Sequence, residues 1–134
     1  MQVLVASDGS RCARVAVDLV AAAPWPSGTR IALVGAIGAG IHVAGGPWTP
    51  LVAVDTSEID LAVRERVGRD LHEAAEHLAE SGHAAETVVR AGRPADVILA
   101  EARERGSDLV IVGSRGHGTL ESMLLGSVSS EVVD

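Results

Sequence analysis

The sequence predicts a single α/β domain, built on a parallel sheet with helices packed over both faces. Three observations carry that expectation. Short runs rich in β-branched residues, apolar on both sides, alternate with longer amphipathic stretches four times along the chain. Gly, Pro and Ser punctuate nearly every junction between them. The 134 residues, 47% hydrophobic and 22% charged, suit one globular core and show no linker, internal repeat or low-complexity tail.

The elements follow in order. Val3-Leu4-Val5-Ala6 reads as a buried strand, and Ser7-Asp8-Gly9-Ser10 as the turn after it. Ser10 can cap a helix in which Cys12, Val15, Ala16, Leu19 and Ala23 form the predicted inner face; Pro24, Pro26 and Gly28 end it. A second strand covers Ile31 to Ile37 and carries the small residues Gly35 and Ala36. Gly38 to Asp55, rich in Gly and Pro, is expected to be a long loop, of the kind that is usually functional.

Thr56 or Ser57 opens the longest helix, which runs to Ser81, buries Val63, Val67, Leu71, Ala74 and Leu78, and stops at Gly82. On its wet side Glu65 and Arg69, Arg66 and Asp70, and Arg69 and Glu73 are spaced for ion pairs. Glu86 to Arg90 is a third strand. Pro94 starts a helix carrying Val97, Ile98 and Ala102 that stops at Gly106, and Leu109 to Val112 is a fourth strand. A glycine segment from Gly113, an apolar patch at Met123-Leu124-Leu125, and the start of a last helix after Gly126-Ser127 complete the chain.

Composition excludes several activities. All 11 basic residues are arginine, so no P-loop lysine, Schiff-base lysine or lysine base exists. With two Trp and no Phe or Tyr there is no stacking platform for single-stranded nucleic acid, and a formal charge of −7 opposes nucleic acid as a partner. Cys12 is alone, so no internal disulfide or multi-Cys metal site can form. The longest uncharged stretch, Ile31 to Val54, holds five glycines and two prolines and does not read as a membrane span. Strand-like residues begin at Val3 with no secretory signal before them, and the expected location is cytoplasmic.

No catalytic constellation is visible. Ser7-Asp8 lacks a nucleophile elbow or a positioned base, and no carboxylate pair stands out. His72 and His77 do not share a helix face and read as solvated residues rather than metal ligands. The chemistry-bearing segments are those that reach the carboxyl edge of the sheet, where ligands of open parallel sheets bind. Asp8 can accept from a ribose hydroxyl or a base amine, or simply organise the first helix. Gly35 and Ala36 can keep a pocket wall low for a flat base, or serve tight strand packing. Gly126-Ser127 before a helix can be a cap, or can offer the amides of Ser127, Val128 and Ser129 to a phosphate. Arg115 can neutralise a phosphate or stand solvated in a loop.

The spacing Gly113-x2-Gly116-x9-Gly126-Ser127 resembles the G-2x-G-9x-G-(S/T) signature of the nucleotide-binding branch of the universal stress protein family. Val3 to Ser10 resembles that family's first strand with its aspartate, and Val89 to Ile98 its third strand and following turn. The resemblance covers almost the whole chain. It implies an open, doubly wound, Rossmann-like sheet of strand order 3-2-1-4 and a protein that binds ATP, in some members with Mg or Mn. The implied product is a homodimeric stress sensor or regulator rather than an enzyme. A stress protein acting through protein contacts, or a slow ATP hydrolase, is the competing expectation.

The resemblance also implies roles by position. Ala6 and Ser7 would flank the base, with Asp8 near the adenosine and Ala36 on the adenine. Val112, Gly113 and Ser114 would line the ribose. Gly116, Gly126, Ser127, Val128 and Ser129 would hold the phosphates. Family domains continue into a fifth strand at the dimer contact, and here nothing follows Asp134. The sequence is therefore expected to be cut short of that strand, because a bare fourth strand presents an apolar edge.

Overall fold

A computed structural model gives the fold and describes residues 1–38, 41–44, 52–55 and 57–113. Strand β1 (Gln2–Ala6) leads into helix α1 (Arg11–Ala22) and strand β2 (Arg30–Ile37). Two short strands follow, β3 (Ile41–Ala44) and β4 (Val52–Asp55), then helix α2 (Ser57–Glu80). Strand β5 (Ala85–Ala91), helix α3 (Pro94–Arg105) and strand β6 (Leu109–Val112) complete the described order. The main sheet runs β5-β2-β1-β6 with every neighbouring pair parallel. In chain order of those four strands this is 3-2-1-4, as expected.

The expectation of a plain loop over Gly38 to Asp55 is corrected. β3 and β4 pair antiparallel, Ile41 opposite Asp55 and Ala44 opposite Val52, as a separate two-stranded sheet. The apolar alternation at Ile41, Val43, Val52 and Val54 was masked by the glycines and prolines between the strands.

Alternation along the central strands divides the core into two layers. Val3, Val5, Ile31 and Leu33 face α1 and α2, packing with Val17, Val20, Val67, Leu71 and Leu78. Leu4, Ala6, Ala32 and Val34 face α3, packing with Val97 and Ile98. The handedness of parallel crossovers explains the split. β1 to β2 and β2 to β5 step the same way and place their helices on one face, while β5 to β6 steps back and places α3 on the other.

Helix α1 is rotated from its predicted register. Its buried residues are Ala13, Ala16, Val17 and Val20, whereas Val15 and Leu19 are 63% and 65% exposed and Cys12 is half-buried. Alanines on both sides of this helix blur its apolar stripe, and close approach to the sheet selects the face with Ala13 and Ala16. The α2 stripe is as expected, with Val67, Leu71 and Leu78 buried and Val63 and Ala74 packed against them. Gly35 makes that approach possible, since a Cβ there would lie 2.5 Å from Val67 Cγ1.

The wet side of α2 differs from expectation. Among the described residues none of the three pairs read from its spacing forms, and the polar contact along this helix is His72 Nε2 with Glu76 Oε1 at 3.2 Å. Asp70 instead turns towards the β1–α1 turn, against Gly9. His77 reaches across to α1, its Nε2 2.9 Å from Asp18 Oδ1. At the amino edge of the sheet Asp108 pins β6 to β1: its Oδ2 accepts from the Gln2 amide at 2.8 Å, and its own amide donates to the Gln2 carbonyl at 2.8 Å.

Candidate functional site

Strand order reverses between β1 and β6. The chain leaves β1 towards β2 and returns from β5 to β6, so among the described residues no crossover covers the carboxyl ends of β1 and β6 from both sides. The candidate site lies at that edge. Ala6 ends β1 and pairs with Val34 of β2 and Val112 of β6. Ala36 lies two residues further along β2 than Val34, half-buried, and belongs with Ala6 and Val112 to the α3 face. Three of the predicted contact residues thus share one side of the sheet, and two of them are alanines that leave the wall low.

Ser7 extends the ladder, its amide donating to the Val34 carbonyl at 2.9 Å. Alternation turns its side chain to the opposite face, where it lines a cleft of about 220 Å³ between α1 and α2 with Gly9, Asp70 and His77. Ser7 therefore meets the α3 face of the sheet through its backbone.

The turn after β1 is held by its own side chains. Asp8 is exposed, and its Oδ1 accepts from the Ser10 amide at 2.8 Å. Ser10 is buried, and its Oγ accepts from the Ala13 amide at 3.2 Å, capping α1 as expected. Gly9 has φ of +76°, and a Cβ on it would collide with Asp70 Oδ2. Both roles weighed for Asp8 thus start from one geometry: the carboxylate organises the turn while standing exposed just past the carboxyl end of β1.

Gly113 closes the described chain beside α1. A Cβ there would lie 3.2 Å from both the Ala13 nitrogen and the Cys12 carbonyl carbon. The first glycine of the spaced motif is therefore needed for the end of β6 to pass the start of α1. Next to it a cleft of about 390 Å³ is lined by Arg11, Cys12, Val15, Leu19, Ile111 and Gly113, among others. The remaining predicted residues, Ser114, Gly116, Gly126, Ser127, Val128 and Ser129, lie outside the described residues, as do Arg115 and the Met123-Leu124-Leu125 patch.

One charged cluster escaped the sequence reading. Glu101 on α3 is only 5% exposed, yet its carboxylate receives Arg90 of β5 at 2.8 Å and Arg105 at 2.7 Å. Arg105 also reaches Glu86 at 2.7 Å, and Arg90 reaches Glu104 at 3.1 Å. Burial pushes the Glu101 carboxyl up, but the Arg105 and Arg90 hydrogen bonds prevail and hold it below the usual carboxylate range. The i,i+4 spacing of Glu101 and Arg105 was a readable signal; the partners on β5 were not. Among the described residues no group of three or more His, Cys, Asp or Glu side chains converges on a metal position, and no helix is long and apolar enough to cross a membrane.

Comparison with known proteins adds the family. A family model described as the universal stress protein family matches residues 1–134. The chain is 36% identical over 135 residues to the universal stress protein YxiE of Bacillus subtilis (strain 168), covering 98% of this chain and 90% of that one. Among solved structures, hypothetical protein MJ0577 superposes with a TM-score of 0.78 at 21% identity, over 98% of this chain and 87% of that one, a likeness of fold. A universal stress protein solved in complex with cAMP superposes with a TM-score of 0.66 at 25% identity, over 99% of this chain and 87% of that one.

Proposed function

The chain belongs to the universal stress protein family, and on that premise we propose that it binds an adenine nucleotide, ATP, at the carboxyl edge of β1, β2 and β6. In this reading it is a cytoplasmic, homodimeric sensor or regulator of the stress response, and its ligand is bound rather than turned over. The observation that carries the reading is the end of the sheet where strand order reverses, which among the described residues no crossover covers from both sides, walled by Ala6, Ala36 and Val112 and flanked by the Asp8 turn.

The parts then have distinct tasks. The α3-side wall, with Ala36 at its end, accepts the flat face of adenine. Asp8, fixed by the Ser10 amide, accepts from the nucleoside at the rim. Val112, Gly113 and Ser114 take the ribose. Gly116, Gly126, Ser127, Val128 and Ser129 supply amides and hydroxyls to the phosphates, so that anion binding needs no lysine. Where Mg or Mn accompanies ATP, it screens the phosphate charge in a chain whose own charge is −7. The cAMP complex of a relative favours a second reading in which the cyclic nucleotide is preferred.

Calorimetric titration with ATP and cAMP tests both. Ser127→Ala with Ser129→Ala removes two hydroxyl donors and is expected to weaken ATP about tenfold or more, at roughly 1 to 1.5 kcal/mol per lost hydrogen bond. A bulky residue at Gly126 is expected to abolish ATP binding. Unchanged affinity in both variants overturns the phosphate assignment, and tighter binding of cAMP than ATP selects the second reading.

A further inference from the structure

The turn Ser7-Asp8-Gly9-Ser10 carries Asp8, which the proposed function sets against the nucleoside, and α2 packs against the middle of that turn. The three heavy atoms nearest to a Cβ built on Gly9 all belong to Asp70: Oδ2, which it would strike, Cγ at 2.9 Å and Cβ at 3.5 Å. Gly9 also holds φ at +76°, so glycine serves there for both the bend and the close approach.

Asp70 is itself well anchored. Its neighbours on α2, Val67 and Leu71, are 7% and 0% exposed and fix the helix against the sheet. About two turns further on, His77 Nε2 lies 2.9 Å from Asp18 Oδ1 and fastens α2 to α1. Between these anchors Asp70 lines the α1–α2 cleft with Ser7 and Gly9. Among the described residues the Arg66–Asp70 ion pair that the helix spacing offers does not form, and the side chain lies against the turn instead.

We propose that Asp70 is a positioning residue for the nucleotide site: it braces the β1–α1 turn from α2 and so fixes where Asp8 stands. The bonds from the Ser10 amide to Asp8 at 2.8 Å and from the Ala13 amide to Ser10 Oγ at 3.2 Å shape the turn from within. Asp70 ties its midpoint to a separate helix. The brace acts by outline rather than charge, since an asparagine would place the same heavy-atom shape against Gly9. The positioning role rests on the function proposed above; the brace itself does not.

Two measurements on the full chain test it. In calorimetric titration with ATP, Asp70→Ala is expected to weaken binding about fivefold, as the fraction of molecules that hold Asp8 in place falls. Asp70→Asn is expected to stay within about twofold of wild type. Leu78→Val, a core substitution further along the same helix, lowers stability without touching the turn and is expected to leave ATP affinity unchanged. Urea unfolding then reads the brace without nucleotide. Gly9→Ala is expected to cost less stability in the Asp70→Ala background than in wild type, because the collision is gone and only the strain at positive φ remains.

Wild-type affinity in Asp70→Ala, equal losses in Asp70→Ala and Asp70→Asn, or a loss in Leu78→Val as large as in Asp70→Ala overturns the positioning role while ATP binding stands. Additive effects at Gly9 and Asp70 overturn the brace. If wild-type protein binds no ATP, the proposed function falls, and the Gly9–Asp70 coupling alone decides whether the brace exists.

Discussion

The two edges of the sheet are finished in opposite ways. At the β5 edge Glu86 and Arg90 reach onto α3, where the buried Glu101 joins Arg90 to Arg105. At the β6 edge no charged pair crosses to α1 among the described residues; Ile111, Val15 and Leu19 bound an apolar groove. Charge on an edge strand discourages further strands, and apolar surface invites a contact. The difference teaches which edge this fold closes with charge and which, among the described residues, it leaves apolar. The proposed ligand site lies on the β6 side, so it and the apolar groove share Gly113.

The comparison breaks first at Glu101. Replacing it with alanine leaves Arg90 and Arg105 facing each other across a gap, and is expected to cost about 3 kcal/mol. The partly exposed arginines recover some hydration, which keeps the loss from being larger. Urea unfolding monitored by circular dichroism measures it, and a loss no larger than that of an exposed substitution would show that the edge is closed by packing alone.

On the other edge, Gly113→Val must displace the backbone of Cys12 and Ala13 rather than a flexible side chain. An overpacking cost of about 2 kcal/mol is expected in the same assay. A neutral effect would mean that the end of β6 and the start of α1 move apart without penalty.

A smaller effect is read with pH. The folded Glu101 carboxyl lies below its ordinary range, whereas the unfolded chain protonates near about 4.3. Its contribution is complete above that value and is lost as pH falls through the depressed folded one. Between pH 7 and pH 3, wild-type protein is expected to lose more stability than Glu101→Gln. Parallel losses in the two proteins would remove the network from the account.

Much of this was legible in the residues. The four parallel strands and three helices follow from apolar runs alternating with amphipathic ones, and Ser10, Pro94, Gly82 and Gly106 mark helix ends as their chemistry predicts. The register of α1 was not legible. Its alanines satisfy both faces, and only contact with the sheet decides that Val17 goes in and Leu19 stays out. The β3–β4 hairpin was hidden because its strands have four residues each and its surroundings read as loop.

The site divided along the same line. Ala6, Ala36 and Val112 were placed together by strand parity, which a sequence carries. The turn of Ser7 to the other face follows from that same parity, and the implied roles passed over it. The Glu101 network joins residues from different elements, so only its i,i+4 half had a signal along the chain.

The most direct measurement is amide shift mapping of the ¹⁵N-labelled chain as ATP is added. The account predicts shifts concentrated at Ser7 to Ser10, Ala36 to Gly38 and Val112 to Gly113, with the β5–α3 network at Arg90, Glu101 and Arg105 undisturbed. No shifts at saturating ATP, or shifts confined to the α1–α2 cleft around Asp18, Asp70 and His77, would contradict it.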